Sequence, residues 1–383
     1  MKINKSKIII SFIIIFFAIY FCGCWDYAEM DDFKNAAGIA IDKDKIEDEY
    51  IVTVEIVEAY TGAKELESHI VQSRGETIHV AFRNAIQKIG NKIQLSHAKI
   101  VIISKDIAEE GIVPVIDLIN RDAELRNDMW IMISKEKPAS KILTKPKSEK
   151  EIISYDIETA IKNNNQVGKY LGVEIYKLID TLSSEGIDSA LPMIKLAQKN
   201  GELEFEVSGT AVFKGEKMVG ELTEKETLML ELFNEKELEL ILPIKIEGNG
   251  FISLEILKSK KKIKVKIEED KIIMNSYIEL DTTISELSNS GVNYIDVNGR
   301  SKLKHIAEEQ IENNIYMLLE KLQKQYKSDA IGFGRELKQK KPKVWKTVSN
   351  KWNEVFESLN INVSVNINIR YSGLTNKNIE VKD

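Results

Sequence analysis

Thiols and imidazoles most often make a catalyst or a metal site, and this chain has few of either. Its cysteines are Cys22 and Cys24, both at the end of an apolar run. The rest of the chain therefore has no disulfide, no thiolate nucleophile and no cysteine metal ligand. His69, His79, His97 and His305 are all the histidines, and none forms an HExxH or similar pair at metal spacing. Each reads as an ordinary surface or core residue. No GxSxG elbow and no Walker loop occurs. Gly332-Phe333-Gly334 is too short to cradle a phosphate. It reads as a tight turn between two helices, with both glycines required by the backbone and expected at positive φ. Carboxylates pair freely, as in Glu55 with Glu58 and Glu65 with Glu67, but 60 acids make such pairs common. Glycoside hydrolysis needs a fixed separation across a cleft, which spacing alone does not provide. The chemistry that remains is the Cys24 thiol, as a place to attach a lipid.

The residues before Cys24 fit that use. Lys2, Lys5 and Lys7 give a basic start without an acid, and Ile8 to Phe21 is apolar except for Ser11. Fourteen residues suit a signal-peptide core and fall short of the roughly 20 of a membrane span. Gly23 then sets a small residue before the cysteine. The stretch Phe21-Cys22-Gly23-Cys24 resembles the bacterial lipobox, in which that cysteine becomes the acylated first residue of the mature chain. Phe21 stands where Leu or Val is usual, and Cys22 where Ala, Ser or Thr is commoner. The expectation is a lipoprotein signal peptide over residues 1–23 and covalent diacylglycerol plus a fatty acyl group on Cys24, with no other cofactor. An uncleaved N-terminal anchor is the other reading, and it too holds the body at a bilayer. One acyl chain anchors only marginally, whereas two or more make attachment stable.

The 383 residues allow two or three domains. A hydrophobic content of 43% with 30% charged residues marks a globular body. The net charge is −6, and losing residues 1–23 would remove three lysines and no acid. Such acidity argues against nucleic-acid binding and against a broad attraction to anionic lipid. The one notable basic cluster is Lys258, Lys260, Lys261, Lys262, Lys264 and Lys266. It reads as the solvated face of an amphipathic strand whose lysines guard an edge. Contact with lipid headgroups or an acidic partner is the competing reading, and Glu268, Glu269 and Asp270 weaken it.

Strands are expected over Phe33–Asp42, Tyr50–Val57, Ala98–Ile103 and Met129–Ile133. Thr77 is a possible N-cap for a helix closed by Gly90. Ile107–Ile119 reads as helical turns interrupted by Gly111 and Pro114. Tyr60–Ser68 reads as a loop, and Lys135–Lys150 as a linker or long surface loop. Ile152–Leu182 reads as helical, broken near Gly168. Short strands follow at Leu203–Val207, Gly209–Phe213 and Met218–Val219, then a helix over Glu224–Phe233. From Leu238 the pattern has period two, with strands at Leu240–Ile246, around Ile263–Ile267 and at Ile272–Leu280. The stripe Leu303, Ala307, Ile311, Ile315, Leu318, Leu322 and Tyr326 predicts one long helix. A second helix is expected over Val344–Leu359, placing Trp345 and Trp352 on one side. They read as core, with an exposed aromatic anchor as the alternative. Alternation over Ile361–Ile369 predicts a final strand. The fold class is α+β: three mixed α/β domains, the C-terminal one an antiparallel-rich sheet packed with two helices. The expected borders are 24–185 for an N-terminal α/β domain, 186–237 for a small middle α+β domain and 238–383 for a C-terminal α+β domain.

Several blocks go further than composition. They are Gly23-Cys24-Trp25-Asp26, Ser73-Arg74-Gly75-Glu76-Thr77, Ser96-His97-Ala98-Lys99 and Asp117 to Asp122. Gly209 to Lys214 with Val219-Gly220, then Ser328-Asp329-Ala330-Ile331-Gly332-Phe333-Gly334, and finally Pro342 to Lys346 with Trp352, complete the set. Through these the chain resembles the Ger(x)C family, the lipoprotein C subunit of bacterial spore nutrient-germinant receptors. The resemblance implies a three-domain, non-enzymatic body, lipid-anchored on the outer face of the spore inner membrane. It implies work with two integral membrane subunits in the nutrient response that triggers germination. It assigns no functional residue beyond Cys24 and no nucleic-acid partner. The competing class is the substrate-binding lipoprotein of a transporter, which usually has two α/β lobes around a ligand cleft. The strand-rich C-terminal third argues against it.

Overall fold

A computed structural model describes Phe16 and residues 33–59, 66–145, 151–234, 238–246, 250–269, 271–287 and 294–371. β1 (Phe33–Asp44), β2 (Glu49–Ala59) and β3 (Leu66–Gly75) form an antiparallel meander. Part of the expected 60–68 loop is thus the start of a strand, paired Ala59↔Leu66 to Tyr50↔Gly75. α1 (Ile78–Ile89) has Thr77 as its N-cap, whose hydroxyl accepts from the Val80 N–H, and Gly90 at φ 77° as its C-cap. β4 (Lys92–Gln94) and β5 (Ile100–Ser104) both run parallel to β1. α2 (Lys105–Glu110) and α3 (Val113–Arg121) lie either side of Gly111, and Pro114 sits in the first turn of α3 where its missing N–H costs nothing. β6 (Trp130–Ser134), α4 (Ile153–Lys162), α5 (Asn164–Val167) and α6 (Ile175–Ser183) lead to β7 (Ala190–Lys199), which is parallel to β6. β8 (Glu202–Lys214) and β9 (Lys217–Leu222) finish the sheet antiparallel. Its order is β3-β2-β1-β5-β6-β7-β8-β9, with β4 beside β1.

The central strands β5 and β6 are covered on both faces, as their unbroken apolar runs require. Val101, Ile103, Ile131 and Ile133 pack with α1, α3 and α6. Ile100, Ile102 and Met132 face the opposite way, against Ile153, Ile157 and Ile161 of α4. Ile142 and Leu143 belong to that second face. Ala139, Ile142 and Leu143, in the expected linker or long surface loop, are therefore core and cover the sheet's underside, while Lys137, Pro138 and Lys141 stay exposed. Two short strands expected at Leu203–Val207 and Gly209–Phe213 are one strand, β8, which passes through Gly209 at φ 81°. Residues 186–237, expected as a small middle domain, extend the first sheet by β7, β8 and β9. The ladder continues without a break from Ile133↔Met193.

α7 (Glu224–Glu231) opens on a capping box between Thr223 and Glu226. The second sheet holds β10 (Ile241–Lys245), β11 (Phe251–Glu268) and β12 (Lys271–Leu287) in antiparallel order. α8 (Val297–Glu320) follows and ends in a π-helical turn, Lys321–Tyr326. α9 (Phe333–Lys340) comes next, and the expected second helix is divided into α10 (Pro342–Val348) and α11 (Trp352–Glu357). β13 (Asn360–Tyr371) then returns parallel to β12. The apolar stripe of α8 and the π turn, Leu303 to Leu322, packs into one core with this sheet. Gln310 exchanges two hydrogen bonds with the Lys245 backbone on β10. On its other flank Glu308, Glu312 and Tyr316 accept the N–H groups of Ile367, Val365 and Val363 on β13. α8 thus bridges both edges of a four-stranded sheet. Among the described residues no helix is long and apolar enough to cross a membrane.

Candidate functional site

A dense polar construction lies where α8 hands over to α9. Lys327 takes φ 53° and ends the π turn, so the chain reverses toward the first sheet. The Ser328 hydroxyl donates to the Phe213 carbonyl of β8 at 2.6 Å. The Asp329 N–H donates to the Asp188 carboxylate at 2.9 Å, and the Asp188 N–H returns a bond to the Asp329 carbonyl at 3.0 Å. Asp188 also accepts from the Gly215 N–H in the β8–β9 turn. Residues of the two sheets are thereby bonded through backbone and short side chains, which leave little rotamer freedom.

The Asp329 carboxylate is buried and organises the next turn. One oxygen accepts from the N–H groups of Gly332 and Phe333 at 2.8 and 2.9 Å. The other accepts from the Gly334 N–H at 2.8 Å and from Trp352 Nε1 at 3.1 Å. These groups include the orphan donors at the start of α9, so the carboxylate caps that helix from within the core. Burial pushes its pKa up to about 6, against the pull of the four donors.

Gly332 and Gly334 lie in this turn for different reasons. Gly332 has φ 85°, the left-handed conformation expected of it. Gly334 does not reach positive φ. It is helical, and a side chain there would meet Gly186 Cα and Trp352 Nε1, each at 2.6 Å. Gly186, at φ 77°, crosses Gly334 backbone to backbone, and its carbonyl accepts the Arg335 N–H at 2.8 Å. Trp345 and Trp352 are both buried, with ring centroids 5.4 Å apart, so both belong to the core. Trp345 Nε1 reaches Glu185 on the loop before Gly186.

A second set of bonds ties the end of α8 to β9. The Tyr326 hydroxyl donates to the Glu221 carbonyl and accepts its N–H. Gly220 leaves room for that ring, which a Cβ would overlap. Lys321 donates to the same carbonyl and to both oxygens of Glu226 at 2.9 Å. Together these groups form a clasp between the first and second sheets. Its carboxylates are occupied by N–H donors, so the clasp holds position and offers no base or nucleophile.

The other residues singled out by sequence lie apart from it. Cys24, the predicted lipidation site, falls outside the described residues, as does Glu65. Glu55 is buried and accepts from Ser68, from the Ile153 and Ser154 N–H groups and from the Ser154 hydroxyl, capping α4 through the sheet. Glu58 pairs with Lys34 at 2.9 Å, so Glu55 and Glu58 do not face one cleft. His79 lies 3.6 Å from Asp122 and His305 lies 3.7 Å from Glu308, both on the surface. Among the described residues no group of three or more His, Cys, Asp or Glu is placed to hold a metal. Lys258, Lys260, Lys262, Lys264 and Lys266 project from one face of β11 beyond the part paired with β10. Sequence reasoning missed Asp42, Asp188 and Asp329 as structural acids. Asp42 accepts from the Ala139 and Ser140 N–H groups, and burial raises its pKa despite them. An Asp shortly before a glycine-rich helix start was the available signal for Asp329.

The chain matches two family models in order. Residues 26–196 match the spore germination protein N-terminal domain. Residues 208–373 match the C-terminal domain described as spore germination B3/GerAC like. Spore germination protein GerQC of Bacillus cereus is 25% identical over 321 residues, covering 83% of this chain and 87% of that protein. Spore germination protein B3 of Bacillus subtilis (strain 168) is 24% identical over 372 residues, covering 95% and 98%. The crystal structure of the GerBC protein superimposes with a TM-score of 0.56 at 21% identity, over 87% of this chain and 97% of that one, and shares its fold.

Proposed function

The chain belongs to the Ger(x)C family, the C subunits of spore germinant receptors, and from that premise we propose that it is the membrane-tethered subunit of such a receptor. The family is not an enzymatic one, and the chain is a receptor component of the germination apparatus. In our reading Cys24 carries diacylglycerol and a fatty acyl group and holds the body on the outer face of the spore inner membrane. The body then works through two integral membrane subunits in the response to nutrients. The observation that carries this reading is the ordered pair of family matches, which together run from residue 26 to residue 373. The apolar run before Gly23-Cys24 supports the tether. The clasp supports action by docking, since bonds between the two sheets let a partner contact both at once. A transporter's substrate-binding lipoprotein is not favoured by these matches.

Spores lacking this protein, with other receptors absent, are expected to ignore nutrients and still to germinate when the receptors are bypassed chemically. A normal nutrient response would remove the assignment. Crosslinking from the protein in spore membranes should capture two integral membrane proteins. For the tether, mass spectrometry of the mature N-terminus should find an acylated Cys24. A chain still starting at Met1 with a free Cys24 thiol would overturn it.

A further inference from the structure

A cleft of about 320 Å³ opens beside the clasp, between α6, the end of α7 and the turn into α9. Its walls come from both sheets' bodies: Leu171 and Ile187 from the first, Ile331 and Arg335 from the second. Ligand sites favour such junctions, with apolar walls and a few polar groups. Arg335 is half-buried, and its guanidinium makes no hydrogen bond or ion pair with any described residue. This distinguishes it from the other cations there. Lys177 pairs with Glu174, and Lys261 donates to the Phe233 carbonyl. A second group in the wall is also unspent: the Ser189 hydroxyl is shut off from solvent and has no partner among the described residues.

We propose that this interdomain cleft binds a small organic monocarboxylate, with Arg335 gripping the carboxylate and the apolar walls taking the remainder. The guanidinium fork matches a carboxylate in two parallel bonds. Charge sets the valence. Arg335, Lys261 and Lys177 line the cleft with the acids Asp188 and Glu231, and Lys177 is already paired with Glu174, so little positive charge is left to balance a dianion. Asp188 accepts the N–H groups of Asp329 and Gly215, and Glu231 accepts from Asn234; neither carboxylate forms an ion pair with Arg335. In the bound state the Ser189 hydroxyl, shut off from solvent in the cleft wall, turns to the second carboxylate oxygen. Because the walls belong to both bodies, an occupant would favour one relative position of the two sheets. This inference does not depend on the tether or on the nutrient response.

The full-length chain in detergent, titrated with carbon-13-labelled butyrate and observed by NMR, tests it. Saturable binding is expected, weakened at least tenfold in Arg335→Gln and retained in Lys338→Gln, whose lysine lies on the exposed side of α9. Ser189→Ala and Lys261→Gln should each weaken it several-fold, and they keep the test open if Arg335→Gln fails to fold. Inorganic phosphate should not compete. No saturable butyrate binding, binding untouched by all three variants, or equal competition by phosphate would each overturn the proposal.

Discussion

Asp329 is held by two opposed influences. Burial raises its pKa to about 6, while the N–H groups of Gly334, Phe333, Gly332 and Trp352 favour the charged form. In the unfolded chain the group takes its ordinary value of 3.8. The folded protein holds the proton more tightly. The stability that Asp329 contributes through this proton is therefore fully present below about pH 4 and lost as the pH rises through 6. Asp188, the other carboxylate in the clasp, is present in both proteins when Asp329→Asn is compared with the parent. The difference in unfolding free energy, parent minus variant, should fall between pH 4 and 6 and stay level above, by urea titration across that range. A difference that grows with pH would mean the four donors outweigh burial. Three glycines, Gly90, Gly334 and Gly186, separate strain from contact. Gly90 has φ 77° with open space where a Cβ would go, so Gly90→Ala should cost about 1 kcal/mol of backbone strain alone. Gly334→Ala has no such strain but drives a methyl into Gly186 and Trp352, an overpacking cost of about 1–3 kcal/mol. In Gly186→Ala the same crossing and a positive φ add, so it should be the worst of the three by denaturant midpoint. Equal losses at Gly90 and Gly186 would sink the close-approach reading.

Among elements, α8 bears most on the second sheet. Its apolar stripe fills the core, and its polar flanks satisfy strand edges that would otherwise invite another chain. Glu308 and Glu312 each accept one β13 N–H, at 2.9 and 2.8 Å. Replacing both by Leu should speed amide exchange at Ile367 and Val365 and cost about 1 kcal/mol per lost bond. It should also promote association through the β13 edge, visible by light scattering. Unchanged exchange at both amides would refute the edge-capping role. The stripe itself was legible from sequence because a 3.6-residue period survives any tertiary context. β13 was equally legible from its alternation over Ile361–Ile369, but its direction was not. Parallel pairing with β12 depends on a crossover through α8–α11, and no local pattern reports that. The same limit explains β3 and β7. Leu66–Gly75 mixes charge with Ser and Gln, and is a strand because β2 supplies its ladder. Ala190–Lys199 contains Pro192, a residue that counts against a central strand, yet it pairs β8 on one side and β6 on the other. The second predicted helix failed at Ser349–Lys351, a 3₁₀ turn that the continuous apolar spacing of Trp345, Val348, Trp352 and Phe356 disguised.

At the scale of the whole molecule, the question is whether the two sheets are independent bodies. From sequence, domain borders are expected at 185/186 and at 237/238. Packing does not follow them. Val212 and Leu222 of the first sheet share one core with Leu230, Phe233, Tyr326, Ile331 and Phe333. Around that apolar contact sit Ser328, Asp188 and Tyr326, whose bonds all cross from one sheet's residues to the other's. A shared core with a polar clasp should couple the two unfolding equilibria, since neither sheet can lose its partner without exposing apolar surface and orphaning buried polar groups. The protein should therefore unfold in one calorimetric transition. Asp188→Ala removes the acceptor for the Asp329 and Gly215 N–H groups while leaving the apolar contact intact. The part-buried Asp329 N–H left unpaired costs about 1–3 kcal/mol, while the exposed Gly215 N–H turns to water, and the loss loosens the joint without unfolding either body. Two resolved transitions are expected in that variant. Tyr326→Phe, which loses only the two Glu221 backbone bonds, should lower the single transition without splitting it. Two transitions already present in the parent protein would show that the sheets move independently, and the clasp would then be a contact rather than a joint.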